Sequence, residues 1–123
     1  MLLKDFYSVL ESSQKEGKFY TQLQINKNHE IYDGHFPDRP VTPGVILMHL
    51  FKEEAERQCG CKLQFKKGTN VKFMAVVDPH IDAILNLETE ITEEDKEVKI
   101  KGVARNKDGV SLKINSLYKK TES

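Results

Sequence analysis

One stretch of the sequence, residues 29–57, limits the folds open to this chain more than any other. It combines three prolines, two glycines and three of the four histidines with the longest apolar run of the chain. Pro37 and Pro40 fix their own backbone φ angles and push the residues before them into extended geometry. The first part of this stretch is therefore predicted to form a rigid loop, and the second part to form a helix.

The helix is predicted over residues 43–59. Thr42 suits the N-cap, Pro43 suits the first helical position, and Gly60 suits a left-handed cap. The first two turns are apolar on nearly every side, which is typical of a buried helix, and the second half is polar. We therefore expect the helix to enter a core and to leave it again at its polar half, which comprises Lys52, Glu53, Glu54, Glu56 and Arg57.

A candidate for chemistry lies eight residues before this helix, at His35. The start of a buried helix presents free backbone N–H groups and the positive end of the helix dipole. An imidazole, with an ordinary pKa of about 6.5, accepts a proton near neutral pH. A histidine held near free amides is thus suited to chemistry on a carbonyl group.

The motif around His35 is specific. Gly34-His35-Phe36-Pro37, followed at fixed spacing by Pro40-Val41-Thr42-Pro43-Gly44-Val45-Ile46, resembles the motif of the 3-hydroxyacyl-acyl-carrier-protein dehydratases, and residues 73–79 add a fainter agreement. The resemblance implies an α+β hot-dog fold, in which an antiparallel sheet wraps around one long central helix. It also implies that two such units pair edge to edge.

The resemblance also implies an enzymatic activity. It implies dehydration of a 3-hydroxyacyl thioester to the trans-2-enoyl thioester in fatty-acid-type biosynthesis, with no cofactor and no metal. By the family's pattern, His35 is the base and the backbone N–H of Gly44 stabilises the thioester oxygen. The acyl chain would lie in a tunnel beside the helix, with Phe36, Pro43 and Val45 as substrate-binding residues. The acyl group would arrive on an acyl carrier protein or on coenzyme A.

The sequence departs from the family at the second catalytic residue. The family has Glu or Asp fourteen residues after the histidine, and this chain has His49 there; four residues on, where the family often has Gln, it has Glu53. The two lie one turn apart on the same side of the helix, so Glu53 could reach the site directly, or it could hold His49 protonated as a replacement acid. The alternative interpretation is an ordinary polar stripe. In the family this acid comes from the partner subunit, which would make a monomer inactive.

Other functions remain open at this point. A thioesterase of the same fold would use Glu53 as its carboxylate, and a non-catalytic acyl-thioester-binding subunit of a heterodimer would need no acid at all. A metal site at His29, Asp33, His35 and His49 is disfavoured, because the spacing matches no common zinc pattern.

A basic cluster follows the helix, and it also has two interpretations. It could dock an acidic carrier protein or form a solvated strand face. Its members are Lys62, Lys66, Lys67 and Lys72.

Composition limits the kinds of protein that this chain can be. The length of 123 residues predicts a single domain, residues 1–123, and the low apolar content of 38% favours a homodimer or higher oligomer that buries a further face. The zero net charge argues against a nucleic-acid binder, and no apolar run approaches the roughly 20 residues of a membrane span. Cys59 and Cys61 are spaced poorly for a disulfide, which favours reduced thiols in a cytoplasmic protein.

Hydrophobic periodicity predicts the remaining elements. The three-and-four spacing of Leu2, Leu3, Phe6, Val9 and Leu10 predicts an amphipathic helix over residues 2–11. Alternating patterns predict strands over residues 18–26, 63–77, 81–92, 98–104 and 110–116. We expect a break in the second of these at Lys67-Gly68, and a hairpin turn at residues 106–109.

Overall fold

The computed structural model describes residues 5–29, 42, 44–75, 77–79, 82–107 and 109–121. Within these ranges the chain forms six strands and one helix. The elements are β1 (Tyr7–Lys15), β2 (Lys18–Ile25), α1 (Gly44–Cys59), β3 (Lys62–Phe73), β4 (Ile84–Glu93), β5 (Glu97–Asn106) and β6 (Gly109–Thr121).

The strands form one sheet in the order β1-β2-β4-β5-β6-β3, and every neighbouring pair is antiparallel. The helix α1 packs against β3, β4 and β5. The predicted α+β hot-dog architecture, a sheet wrapped around one long helix, is confirmed. The described helix is too short and too polar to cross a membrane.

The core lies between α1 and the inner face of the sheet. The alternation predicted for β5 holds, because Val98, Ile100 and Ala104 are buried and the residues between them face outward. Gly102 belongs to the same inner row, and a Cβ atom there would come within 2.5 Å of the ring of Phe51. Helix and sheet therefore approach each other at this point as closely as a glycine allows.

The predicted N-terminal helix is wrong in the part that the structure describes. Tyr7–Lys15 is a strand, paired with β2 through a two-residue turn at Glu16 and Gly17. Both turn residues have positive φ, 53° and 80°, which is the backbone geometry that joins tight hairpins. Val9 and Leu10 are exposed, so their spacing does not mark a buried helical face.

The other elements follow the sequence closely. The helix ends as predicted at Gly60, which has a φ of 68°. The strand β3 has irregular register on both sides of the predicted break and ends at Phe73, short of the predicted residue 77. The strand β6 continues to Thr121, beyond the predicted residue 116. The hairpin between β5 and β6 turns at Gly109, which has a φ of 124°.

Candidate functional site

The first turn of α1 forms one side of the candidate site. The helix begins at Gly44, and first-turn N–H groups have no partner within a helix. A Cβ atom on Gly44 would come within 2.8 Å of the ring of Phe73, at the end of β3. Just before the helix, the backbone N–H of Thr42 donates to the carbonyl of Val77 at 2.8 Å. The helix start is thus tied to the segment that follows β3, and a larger residue at its first position would have to displace the ring of Phe73.

His49 and Glu53 lie together one turn further along α1. Nε2 of His49 is 3.4 Å from Oε2 of Glu53, and Glu53 is only 7% exposed. Within the described part of the chain, this Oε2 has no hydrogen-bond partner. The structure therefore brings together the two residues predicted for the acid side. It leaves one buried carboxylate oxygen of Glu53 beside the imidazole.

The other oxygen of Glu53 is bound by a residue that the sequence did not suggest. The hydroxyl of Tyr7 donates to Oε1 of Glu53 at 2.6 Å, and Nη1 of Arg57 donates to the Tyr7 hydroxyl at 2.5 Å. Burial, reinforced by the hydrogen bond to Glu53, raises the pKa of Tyr7 to about 12. The Tyr7 hydroxyl is therefore neutral at physiological pH and remains a hydrogen-bond donor.

Glu54, the next residue, is fully buried and bonded at both carboxylate oxygens. Nη2 and Nε of Arg57 donate to its Oε1 at 2.8 and 3.2 Å. The hydroxyl of Thr21 and Nε2 of Gln58 donate to its Oε2. The expectation that the second half of the helix leaves the core is wrong for Glu53 and Glu54, because their carboxylates are buried against β1 and β2. The interpretation of Glu53 as part of a solvated polar stripe is wrong for the same reason.

A small pocket of about 160 Å³ opens beside His49, between α1 and strands β3 and β6. Its β3 and β6 walls are the rings of Phe65 and Tyr118, which meet edge to face with centroids 5.9 Å apart. Burial raises the pKa of Tyr118, so its hydroxyl also stays neutral. The pocket is largely apolar with an imidazole at its wall, and its lining residues are Val45, Met48, His49, Lys52, Phe65 and Tyr118.

Several predicted site residues lie outside the described part of the chain. These are His35, Phe36 and Pro43, so their roles stay predictions. In the rival metal site, the ring of His29 meets Phe6 edge to face, and Asp33 is likewise outside the described residues. The residues that are described include no group of three His, Cys, Asp or Glu side chains able to hold a metal ion. That this protein uses no metal stays a prediction.

Neither the lysines of the basic cluster nor the two cysteines line the pocket beside His49. All four lysines of the cluster are exposed on β3, and Lys66 forms an ion pair with Glu97 at 2.5 Å. Both cysteines are free. Burial, with a smaller contribution from Glu93, raises the pKa of the Cys59 thiol to about 11, so this thiol is neutral and unreactive at physiological pH.

The residues that sequence reasoning missed are those contributed by β1 and β2. Tyr7 and Glu53 are 46 positions apart, and Thr21 and Glu54 are 33 positions apart. Gly17 marks a turn before β2, but Glu16-Gly17 is not one of the commonest hairpin sequences and only weakly indicates that β1 pairs with β2. Nothing in the sequence gives the pairing of Tyr7 with Glu53 itself.

Comparison with known families relates this chain to dehydratases. The sequence model of the ApeI-like family, described as ApeI dehydratase, matches residues 11–113. A 3-hydroxyacyl-acyl-carrier-protein dehydratase, FabZ of Bacillus cereus (strain AH820), is 37% identical over 68 residues, which is 52% of this chain and 44% of the relative. The aligned part of the chain spans less than half the length of the curated relatives that it matches.

Solved structures share the fold at low sequence identity. The dehydratase heterocomplex ApeI:P from Xenorhabdus doucetiae contains a chain with a TM-score of 0.72 and 18% identity; the match covers 91% of this chain and 96% of that one. A hypothetical thioesterase from Streptococcus pneumoniae TIGR4, solved with coenzyme A, has a TM-score of 0.68 and 11% identity over 98% of this chain and 91% of that one. These likenesses establish the hot-dog fold.

Proposed function

Because the chain belongs to the ApeI-like dehydratase family, we propose that it converts a 3-hydroxyacyl thioester to the trans-2-enoyl thioester with release of water. The observation that carries the proposal is the pairing of His49 with Glu53. A buried carboxylate oxygen without a described donor lies 3.4 Å from an imidazole, at the wall of an apolar pocket. An acyl carrier protein or coenzyme A would carry the acyl group.

The elimination needs a base, an acid and a group that stabilises negative charge. His35 would take the proton from the carbon next to the thioester carbonyl, and the N–H of Gly44 would stabilise the developing charge on the carbonyl oxygen. His49 would give a proton to the departing hydroxyl, which leaves as water. Proton return from His35 to His49 would reset both imidazoles, so that the overall reaction consumes no proton.

The pairing with Glu53 defines which nitrogen of His49 would donate the proton to the departing hydroxyl. With Nε2 turned toward Oε2 of Glu53, Nδ1 is the nitrogen left for the hydroxyl of the substrate. An ionised carboxylate at this distance stabilises the imidazolium, in which both nitrogens carry protons. Glu53 would therefore act through His49, in place of the acidic residue that the family has at position 49.

The edge strand β3 supports assembly into a dimer. It is an outer strand of the described sheet, so its edge offers backbone groups for pairing. Phe65 and Phe73 are 47% and 52% exposed on this strand, and Met74 follows them. We propose that two copies pair along β3, covering these side chains and closing the pocket beside His49.

Two other functions have a specific observation in their favour. The histidine at position 49 favours a non-catalytic acyl-thioester-binding subunit that works with a second, different chain. The oxygen of Glu53 that has no described donor favours a thioesterase, in which a carboxylate activates water. The products separate the three functions, because hydrolysis releases a free thiol, dehydration gives an enoyl thioester, and a binding subunit gives neither.

The test is a hydratase and dehydratase assay on the purified protein with 3-hydroxyacyl and enoyl thioesters of short and medium chain length, on both carriers. We expect activity in the wild type and its loss in His35→Ala, His49→Ala and Glu53→Gln. Glu90→Gln is the matched control for the last variant, because Glu90 is exposed on β4. Absence of turnover in the wild type with every substrate would contradict dehydratase activity in the homomeric protein.

A further inference from the structure

Tyr7 occupies a position in this network that goes beyond the proposed acid pair. It lies at the start of β1 and donates to Oε1 of Glu53 at 2.6 Å, whereas His49 lies beside Oε2. The carboxylate of Glu53 is thus held between a hydroxyl on one oxygen and an imidazole beside the other. This arrangement joins an edge strand to the helix that carries the candidate acid.

The direction of each hydrogen bond in the network follows from chemistry. The Arg57 guanidinium has only donors, so the Tyr7 oxygen must accept from it. The single proton of Tyr7 is then left to donate to Glu53. Arg57 is itself held by two bonds to the fully buried Glu54. A chain of contacts therefore runs from Glu54 through Arg57 and Tyr7 to Glu53, and it fixes which way the Tyr7 hydroxyl points.

We infer that Tyr7 is a positioning residue for the acid side of the site. Its donated hydrogen bond holds Oε1 of Glu53 and leaves Oε2 beside His49, so that the carboxylate faces Nε2 of the imidazole. The catalytic meaning of this inference rests on the proposed function, whereas the contacts behind it are independent of that function. A buried carboxylate that loses its donor is less stable as an anion. Without Tyr7, the proton shared by the pair would move toward Glu53 and away from His49.

The other ionisable groups near His49 do not replace Glu53 as the anion beside its imidazole. Lys52, on the same helix, lines the pocket and carries a positive charge, which disfavours the imidazolium. Tyr118 reaches the pocket from β6 as a neutral phenol, and β3 contributes only the apolar ring of Phe65. Among the described side chains around the pocket and the pair, Glu53 is the anion that faces His49.

The test measures the protonation of His49 directly, by nitrogen-15 NMR of the imidazole in the full chain at neutral pH. His49→Gln identifies the signal among the four histidines. We expect the imidazolium fraction of His49 to be lower in Tyr7→Phe and in Glu53→Gln than in the wild type, because both changes weaken the anion beside its Nε2. Tyr20→Phe is the matched control, because Tyr20 is exposed on β2, and it should leave the His49 signal unchanged. In the dehydratase assay, Tyr7→Phe should lower kcat roughly tenfold with little change in KM.

The outcomes separate this inference from the proposed function. A His49 signal in Tyr7→Phe identical to that of the wild type would overturn the role of Tyr7, even if Glu53→Gln changed it. An inactive wild type with the expected NMR changes would refute the dehydratase and leave the positioning role standing. Should Tyr7→Phe fail to fold, Arg57→Lys gives the second test. A lysine lacks the planar fork through which Nη1 bonds to Tyr7 while Nη2 and Nε bond to Glu54, so a smaller fall in the imidazolium fraction is expected, and its absence would contradict the inference.

Discussion

Glu53 and Glu54 are neighbours on α1, both are buried, and their surroundings differ in one respect. Every oxygen of Glu54 is hydrogen-bonded, by Arg57, Thr21 and Gln58. Glu53 has a bonded Oε1, whereas its Oε2 has no donor among the described residues and faces His49. The difference is not one of burial, since the two are 7% and 0% exposed.

The comparison separates two uses of a buried charge. A carboxylate whose bonds are complete holds elements together, and here Glu54 joins α1 to β2. A buried carboxylate with one oxygen that lacks a hydrogen-bond donor carries an uncompensated desolvation cost. Such a cost is expected where that oxygen takes part in function. We therefore interpret Glu54 as structural and Glu53 as functional, and isosteric amide substitutions at the two positions test this division.

The largest effect on stability is expected at Glu54. Glu54→Gln removes the charge that compensates the guanidinium of Arg57 and puts an N–H donor where Thr21 now donates. We expect a loss of about 2–3 kcal/mol in the free energy of unfolding, measured by urea denaturation. Activity per folded molecule should fall less than in Glu53→Gln, because Glu54 reaches Glu53 only through Arg57 and Tyr7. A stability loss below about 0.5 kcal/mol would contradict a structural role for this carboxylate.

The matching substitution at Glu53 should show the opposite pattern. In Glu53→Gln the amide oxygen still accepts from Tyr7, so the free energy of unfolding should change by less than about 1 kcal/mol. The loss of the charge beside His49 should lower kcat by about a hundredfold, which corresponds to about 2.7 kcal/mol of activation free energy. Steady-state kinetics and urea denaturation on the same preparation measure both values. A stability loss as large as that of Glu54→Gln would remove the distinction between the two residues.

A smaller effect follows from Tyr7 at alkaline pH. Its folded-state pKa of about 12 lies above the ordinary value of 10.0, so the folded protein keeps a proton that the unfolded chain loses. The resulting stabilisation is fully present below about pH 10 and is lost as the pH rises toward about 12. Between about pH 9 and about pH 11.5, the wild type should lose about 1–2 kcal/mol more stability than Tyr7→Phe. Parallel loss in the two proteins would show that Tyr7 does not hold its proton through this network.

Most of the secondary structure could be predicted from local sequence patterns. The apolar run and Gly60 define α1, and alternation defines β2 and the strands from β4 to β6. The strand β1 was missed because Val9 and Leu10 lie at helical spacing, while the turn that decides its structure, Glu16-Gly17, is not one of the commonest hairpin sequences. Its exposed pattern gives no period-2 signal to correct the error.

The candidate site, too, could be predicted from the sequence only in part. The adjacency of His49 and Glu53 could be predicted, because residues four apart share a helix face. The burial of Glu53 and Glu54 could not, because charged residues are exposed by default and their partners come from strands that are distant in sequence. Pairing of this kind depends on the register of β1 and β2 against α1, and periodicity carries no information about it.

The most direct test of the central claim, that Glu53 acts through His49, is a double-mutant cycle on kcat/KM with His49→Gln, Glu53→Gln and the double variant. If the two residues form one acid unit, the double variant should be no slower than the slower single variant, within about twofold. If the two losses multiply, so that the double variant falls by the product of the single effects, Glu53 acts independently of His49 and the account of the acid side is wrong.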